Sequence, residues 1–277
     1  METNIILAGV GGQGIVSISF VIDMAAIWQG LQFKQAEVHG MSQRGGEVIS
    51  HLRIADHPVH SDLVPKGAGN LVLSVEPLES LRYVQYLSPD GALVSSVDPF
   101  VNIPDYPEVS KILDAISSLK NHTLVPADPL AREAGTAKAA NMVLLGAASP
   151  FLGMKDEVLE AAIKELFQRK GEKVQKINVD AFRAGKAAGQ AYRDCVKAGI
   201  ESRAARSLVG RLERGVLAPN AIPHWKALFA SPLAADVLTA LEAKGPERIK
   251  GEADLPKAIL ASGKASKIGE MLFHKAA

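Results

Sequence analysis

The chain has 277 residues, 47% of them hydrophobic and 22% charged, enough apolar mass for a sizeable core in one large domain or one domain with an appendage. Lys and Arg total 31 against 30 Asp and Glu, a net charge of +1, so the charge balance gives no reason to expect nucleic acid or another polyanion as partner. The single cysteine, Cys195, excludes an internal disulfide, a cysteine zinc site and the thiolate set of an iron–sulfur cluster, so any redox metal has to sit in another chain.

Met1-Glu-Thr-Asn runs directly into an apolar strand without a basic segment or cleavage site, and no later run approaches the ~20 apolar residues of a membrane span; a cytoplasmic protein without membrane contact is expected. Asn4 to Ala8 (NIILA) is short, apolar and β-branched, Gly9-Val-Gly-Gly-Gln-Gly14 is a turn, and Ile15 to Trp28 is helix-compatible. After a polar, glycine-rich loop at Glu37 to Gly46, the segment Gly46 to Ile54 alternates as a strand with one wet face, and Leu71 to Val75 has the continuous apolar character of a buried strand. Leu78 to Leu87 predicts a helix, Ala92 to Ser96 a strand, Glu108 to Leu119 a helix and Thr123 to Pro126 a strand. This alternation predicts a layered α/β fold.

Helices dominate from there onward. Asn141 to Ala148 reads as a buried helix with Gly146 at a close contact, and Lys155 to Arg169 as an amphipathic helix with Val158, Leu159, Ile163 and Leu166 inward. Asp180 to Lys197 follows, with Ala184, Ala187, Ala188 and Ala191 permitting close approach to a neighbour. Beyond about residue 198 the composition shifts to Ala, Lys, Arg and Gly, and short helical pieces break at Pro219, Pro223, Pro232, Pro246 and Pro256. Two regions follow, a domain over 1–197 and a C-terminal helical extension over 198–277. Trp225, Leu228 and Phe229 are the anchors of the extension, either for docking or for a small private core. No internal repeat or low-complexity tract stands out.

Gly9, Gly11 and Gly14 have the spacing G-x-G-x-x-G between a strand and a helix, where backbone amides and the helix N-terminus can receive a phosphate. Glu37, 23 residues beyond Gly14, stands near where a dinucleotide fold holds a ribose, so a free-standing NAD-binding oxidoreductase is one reading. Gly12 is an extra glycine for that pattern, and Glu37 leads into His39-Gly-Met-Ser-Gln-Arg-Gly-Gly46. In this second cluster Arg44 can pair bidentately with phosphate or carboxylate, while Ser42 and Gln43 add neutral hydrogen bonds; an interface loop is the alternative. Thr136, Lys138 and Asn141 gather at a helix start, either for a ligand or as caps and a structural bond to an adjacent loop. His39, His51, His57 and His60 have no carboxylate or cysteine at ligand spacing and read as ordinary polar residues, and no G-x-S-x-G elbow is present.

Three runs carry a resemblance. Gly9-Val-Gly-Gly-Gln-Gly14, then Glu37-Val-His-Gly-Met-Ser-Gln-Arg-Gly-Gly46 leading into Val48-Ile-Ser-His-Leu-Arg53, then Ala139-Ala-Asn-Met-Val-Leu-Leu-Gly-Ala147 resemble, in order, the γ-type domain of 2-oxoacid:ferredoxin oxidoreductases, and within them the β subunit of the indolepyruvate type. The resemblance implies a three-layer αβα Rossmann-like domain bound to a larger subunit that carries thiamine diphosphate and [4Fe-4S] clusters and performs the catalysis. It implies oxidative decarboxylation of an aryl pyruvate, reduction of ferredoxin and acyl transfer to coenzyme A. By the same resemblance Gly11, Gly12, Gln13, Gly14, Ser42, Gln43, Arg44 and Asn141 lie at the coenzyme A site or the partner interface, with no catalytic residue and no metal ligand in this chain. A purely structural assembly subunit is the reading in which coenzyme A makes no contact with it. The extension after about residue 198 has no counterpart in the resemblance.

Overall fold

The computed structural model describes residues 1–39, 45–211 and 219–243. Six strands, β1 (Glu2–Val10), β2 (Gln32–His39), β3 (Glu47–Ala55), β4 (Gly69–Ser74), β5 (Leu87–Ser96) and β6 (His122–Val125), form one sheet in the order β2-β3-β1-β4-β5-β6. β1, β4, β5 and β6 run parallel, while β3 lies antiparallel between β1 and β2. Every residue of β1 after Glu2 is buried, and in β4 only Asn70 is exposed, the burial expected of strands covered on both faces.

The cover comes from two groups of helices. α1 (Ile15–Trp28) packs with α5 (Ala140–Ala148) and α6 (Asp156–Leu166), and α5 also lies on β4, β5 and β6. α2 (Pro77–Arg82) packs with α3 (Val109–Ser117) and touches β1, β4 and β5. α4 (Ala127–Ala134) leads into α5, and α7 (Glu172–Lys197) closes the series. The expected α/β fold with a helix-covered sheet is therefore present. Gly146 of α5 and Gly185 of α7 explain one tight crossing: a Cβ on Gly146 would run into the Phe182 carbonyl, and one on Gly185 into the Val143 carbonyl.

β2 departs from expectation, since residues from Glu37 onward read as loop. Gln32 to Val38 have no fully buried position, because an edge strand pairs on one side only and needs no continuous apolar run. α4 was also not anticipated; its ADPLAREA segment is too short to show a clear helical period.

Contacts divide the chain into two compact units, Met1–Gly189 and Gln190–Ala277, with the boundary inside α7. Within the second unit, α8 (Ser202–Arg211) and α9 (Ile222–Phe229) both pack against α10 (Ala234–Glu242). Leu208, Trp225, Leu228 and Val237 are buried, whereas Phe229 is half-exposed. Arg203 donates two hydrogen bonds to the Glu242 carboxylate, at 2.8 and 2.7 Å. Cys195 is buried and its thiol is pushed up to about 11 by burial, as for a packing residue. Pro246 and Pro256 lie outside the described residues. Among the described residues no helix is long and apolar enough to cross a membrane.

Candidate functional site

The glycine turn follows β1 and is pinned on both sides. Gly11 N–H donates to the Gly46 carbonyl at 2.8 Å and Gly45 N–H to the Gly11 carbonyl at 3.4 Å, so the turn and the end of the second motif lie side by side. Gly12 (φ 99°) and Gly14 (φ 82°) occupy the left-handed region, which glycine reaches without steric cost. Gln13 folds back, its Oε1 accepting from Val10 N–H at 2.8 Å. Gly14 is the N-cap of α1 and supplies no side chain there, and the first helical turn has no acidic residue. The positive end of α1 is thus not neutralised locally.

Asn141 ties the third motif to the first. Its Nδ2 donates to the Gly14 carbonyl at 3.2 Å, while its Oδ1 accepts from Met142 N–H at 2.9 Å. A Cβ at Gly14 would stand 2.5 Å from that Nδ2, so glycine is required by close approach as well as by φ.

These groups face a cavity of about 940 Å³ at the C-terminal ends of β1, β4, β5 and β6. Chain order reverses here: β1 is followed by β2 and β3 on one side of it and by β4 on the other, the place where open α/β sheets leave a crevice. Gly12, Gln13, Gly14 and Asn141 line one wall, and Lys138 stands beside them. Lys170 and the apolar side chains of Phe167, Val174 and Ile177 contribute elsewhere. Asp98 and Asp128 supply negative charge; Asp98 Oδ2 accepts from Ser96 Oγ at 2.9 Å and from Asp128 N–H at 2.8 Å. Burial raises the Asp98 pKa, partly offset by those bonds. The site therefore combines an amide-rich turn, a helix N-terminus and two lysines with a carboxylate edge and an apolar wall. This suits a long ligand with both phosphate and uncharged portions.

Of the residues expected from sequence, Gly12, Gln13, Gly14 and Asn141 come together on the cavity, and Gly11 forms the adjoining turn. Ser42, Gln43 and Arg44 lie outside the described residues; the chain meets the turn again at Gly45, whose carbonyl accepts from Asn102 Nδ2 at 2.7 Å. Glu37 is on β2, with β3 between it and β1, and it accepts from Gln35 Nε2 at 3.2 Å. A carboxylate that grips a ribose belongs on the strand next to β1, so the inserted strand removes the support that Glu37 gave to an NAD site. His51 is buried on β3; burial lowers its pKa, and Nδ1 of the neutral ring accepts from Val64 N–H at 3.2 Å. His57 stands 3.0 Å from Asp56, near the start of β1. Among the described residues no three His, Cys, Asp or Glu side chains gather as metal ligands. Sequence reasoning missed Asp98, Asp128 and Lys170. The first had a signal, because Ser74-Val-Glu-Pro77 and Ser96-Val-Asp-Pro99 repeat one pattern at the ends of two strands.

A family model described as pyruvate ferredoxin/flavodoxin oxidoreductase matches residues 4–188, almost the whole of the first unit. Indolepyruvate oxidoreductase subunit IorB of Thermococcus kodakarensis is 36% identical over 194 residues, 66% of this chain and 94% of the relative. The IorB subunit of Archaeoglobus fulgidus is 34% identical over 194 residues, 67% of this chain and 94% of that relative. Among solved structures, the 2-oxoglutarate:ferredoxin oxidoreductase of Magnetococcus marinus with 2-oxoglutarate, coenzyme A and succinyl-CoA bound has the same fold. It aligns with a TM-score of 0.56 at 23% identity, over 69% of this chain and 31% of that one.

Proposed function

Because the chain belongs to the pyruvate ferredoxin/flavodoxin oxidoreductase family, we propose that it is the companion subunit of a complex that oxidatively decarboxylates an aryl pyruvate, and that its cavity receives coenzyme A. It is an IorB-type subunit of a 2-oxoacid:ferredoxin oxidoreductase. The larger subunit holds thiamine diphosphate and [4Fe-4S] clusters, which supply carbon–carbon bond cleavage and the electron path to ferredoxin. This chain's own residues bind and orient the acyl acceptor.

The observation that carries the coenzyme A reading is the convergence of the glycine turn, the uncapped start of α1, Lys138 and Lys170 on one cavity with an apolar wall. Its volume of about 940 Å³ is at the upper end of the ~300–1,000 Å³ typical of small-molecule sites, as an extended cofactor needs. The pyrophosphate fits the amide-rich turn, where negative charge is favoured, and the lysines balance what remains. Phe167, Val174 and Ile177 offer the surface for the uncharged parts. Gly11 and Gly12 let the backbone approach, Gln13 and Asn141 hold the turn in shape, and Ser42, Gln43 and Arg44 belong by sequence to the motif whose Gly45 and Gly46 bond to Gly11. The related structure with coenzyme A bound supports the choice of ligand.

The test is kinetic and uses the reconstituted complex. Lys138→Ala is expected to raise the KM for coenzyme A about tenfold, the size of one lost charge-assisted contact at about 1.4 kcal/mol. Arg44→Ala is expected to raise it as well, and the KM for the 2-oxoacid should stay constant in both. Unchanged coenzyme A kinetics in both variants would favour a subunit serving assembly alone.

A further inference from the structure

β4 and β5 end in the same four-residue pattern, Ser74-Val-Glu-Pro77 and Ser96-Val-Asp-Pro99, and the two copies make matching bonds. In each, the serine hydroxyl accepts from the N–H of the acidic residue two positions on, at 3.3 Å for Glu76 and 3.0 Å for Asp98. This local turn aims each carboxylate sideways along the edge of the sheet. Glu76, leaving β4, accepts from Phe100 N–H beyond β5 at 3.3 Å. Asp98, leaving β5, accepts from Asp128 N–H beyond β6 at 2.8 Å. Each acid thus holds the exit loop of the next strand over.

Glu76 is only 1% exposed, yet no cation is needed to keep it there. Oε2 accepts from Glu79 N–H at 2.8 Å, capping α2, and Oε1 accepts from both Phe100 N–H and the Tyr106 hydroxyl. Several donors converging on a buried carboxylate offset its desolvation. Phe100 and Tyr106 are two points on one loop, and Asn102 between them donates to the Gly45 carbonyl. Asp98, Pro99, Phe100, Ala127 and Asp128, the residues that these bonds hold, line the cavity.

We propose that Glu76 and Asp98 are positioning residues that act in series across β4, β5 and β6, holding the Pro99–Phe100 and Ala127–Asp128 walls at a fixed distance from the glycine turn and thereby setting the affinity of the cavity for its ligand. The affinity half of this inference rests on the reading of the cavity as a coenzyme A site. The loop-holding half does not.

Tyr106→Phe is the cleanest probe, because it removes one donor to Glu76 and leaves the sheet and the cavity lining intact. In the full-length chain, amide hydrogen exchange around Phe100 should quicken about tenfold in Tyr106→Phe, and at least as much in Glu76→Gln, whose amide nitrogen sets a donor against a donor that one carboxylate oxygen had accepted. In the reconstituted complex Tyr106→Phe should raise the KM for coenzyme A three- to tenfold while kcat stays within twofold, a split that general loss of folded protein would not produce. Parental exchange at Phe100 would overturn the clamp whatever the ligand. Faster exchange with an unchanged coenzyme A KM, in a complex where Lys138→Ala does raise it, would overturn the positioning role alone. If neither variant moves that KM, the reading of the cavity falls first and takes the affinity role with it.

Discussion

Asp23 is a polar residue that the fold leaves poorly satisfied. It sits in the middle of α1 on a stripe with Val16, Phe20 and Ile27, and its Oδ1 is buried without a hydrogen-bond partner among the described residues. Burial alone raises its pKa from 3.8 to about 7. A carboxyl whose folded pKa lies above its unfolded value contributes stability that is complete below about pH 4 and lost as the pH climbs through about 7. Asp23→Asn should therefore stabilise the chain at pH 8 by about 1–2 kcal/mol, after discounting for partial solvent access, and change little near pH 4. Denaturant midpoints of both proteins across that range check this; a stability difference independent of pH would contradict it.

At the scale of elements, the crossing of α5 and α7 depends on two glycines facing each other's backbone. Gly185→Ala would force a methyl group against the Val143 carbonyl, so a loss of about 1–3 kcal/mol is expected from overpacking, despite the better helix propensity of alanine. Thermal unfolding measures it, and an unchanged or raised Tm would show that the helices separate freely. Gly146 was legible as a close-packing residue because it interrupts an otherwise continuous apolar run. β1 and β4 were legible for a related reason, since strands covered on both faces carry nearly continuous apolar sequence, whereas of β5 only the buried half from Ala92 was read as strand and Leu87 was assigned to a helix. β2 was not, since an edge strand carries polar residues such as Gln32, Lys34 and Gln35 without cost. Its misreading had a consequence for function, because Glu37 looks like a ribose ligand only if β2 neighbours β1. The glycine turn and Asn141 were each singled out in the sequence, although the bond from Asn141 to Gly14 spans a separation of 127 residues that no local pattern encodes. Asp98 left only the repeated Ser-Val-acid-Pro pattern as a trace, and Asp128 and Lys170 were hidden because the elements that carry them meet only in the folded sheet.

The whole molecule consists of a unit matched to the family over residues 4–188 and a second unit beyond it. The first brings together backbone amides, amide side chains, lysines and hydrogen-bonded carboxylates around one cavity. Cys195, the only cysteine, is buried with its thiol held protonated. Under the proposed function the chain supplies a binding surface to a cofactor-bearing partner and turns nothing over by itself. The most direct measurement is anaerobic, aryl-pyruvate-dependent reduction of ferredoxin in the presence of coenzyme A, by the purified chain alone and after reconstitution with the larger subunit. No ferredoxin reduction by the lone chain and coenzyme A-dependent turnover by the pair are expected; turnover by the lone chain would contradict the proposed function.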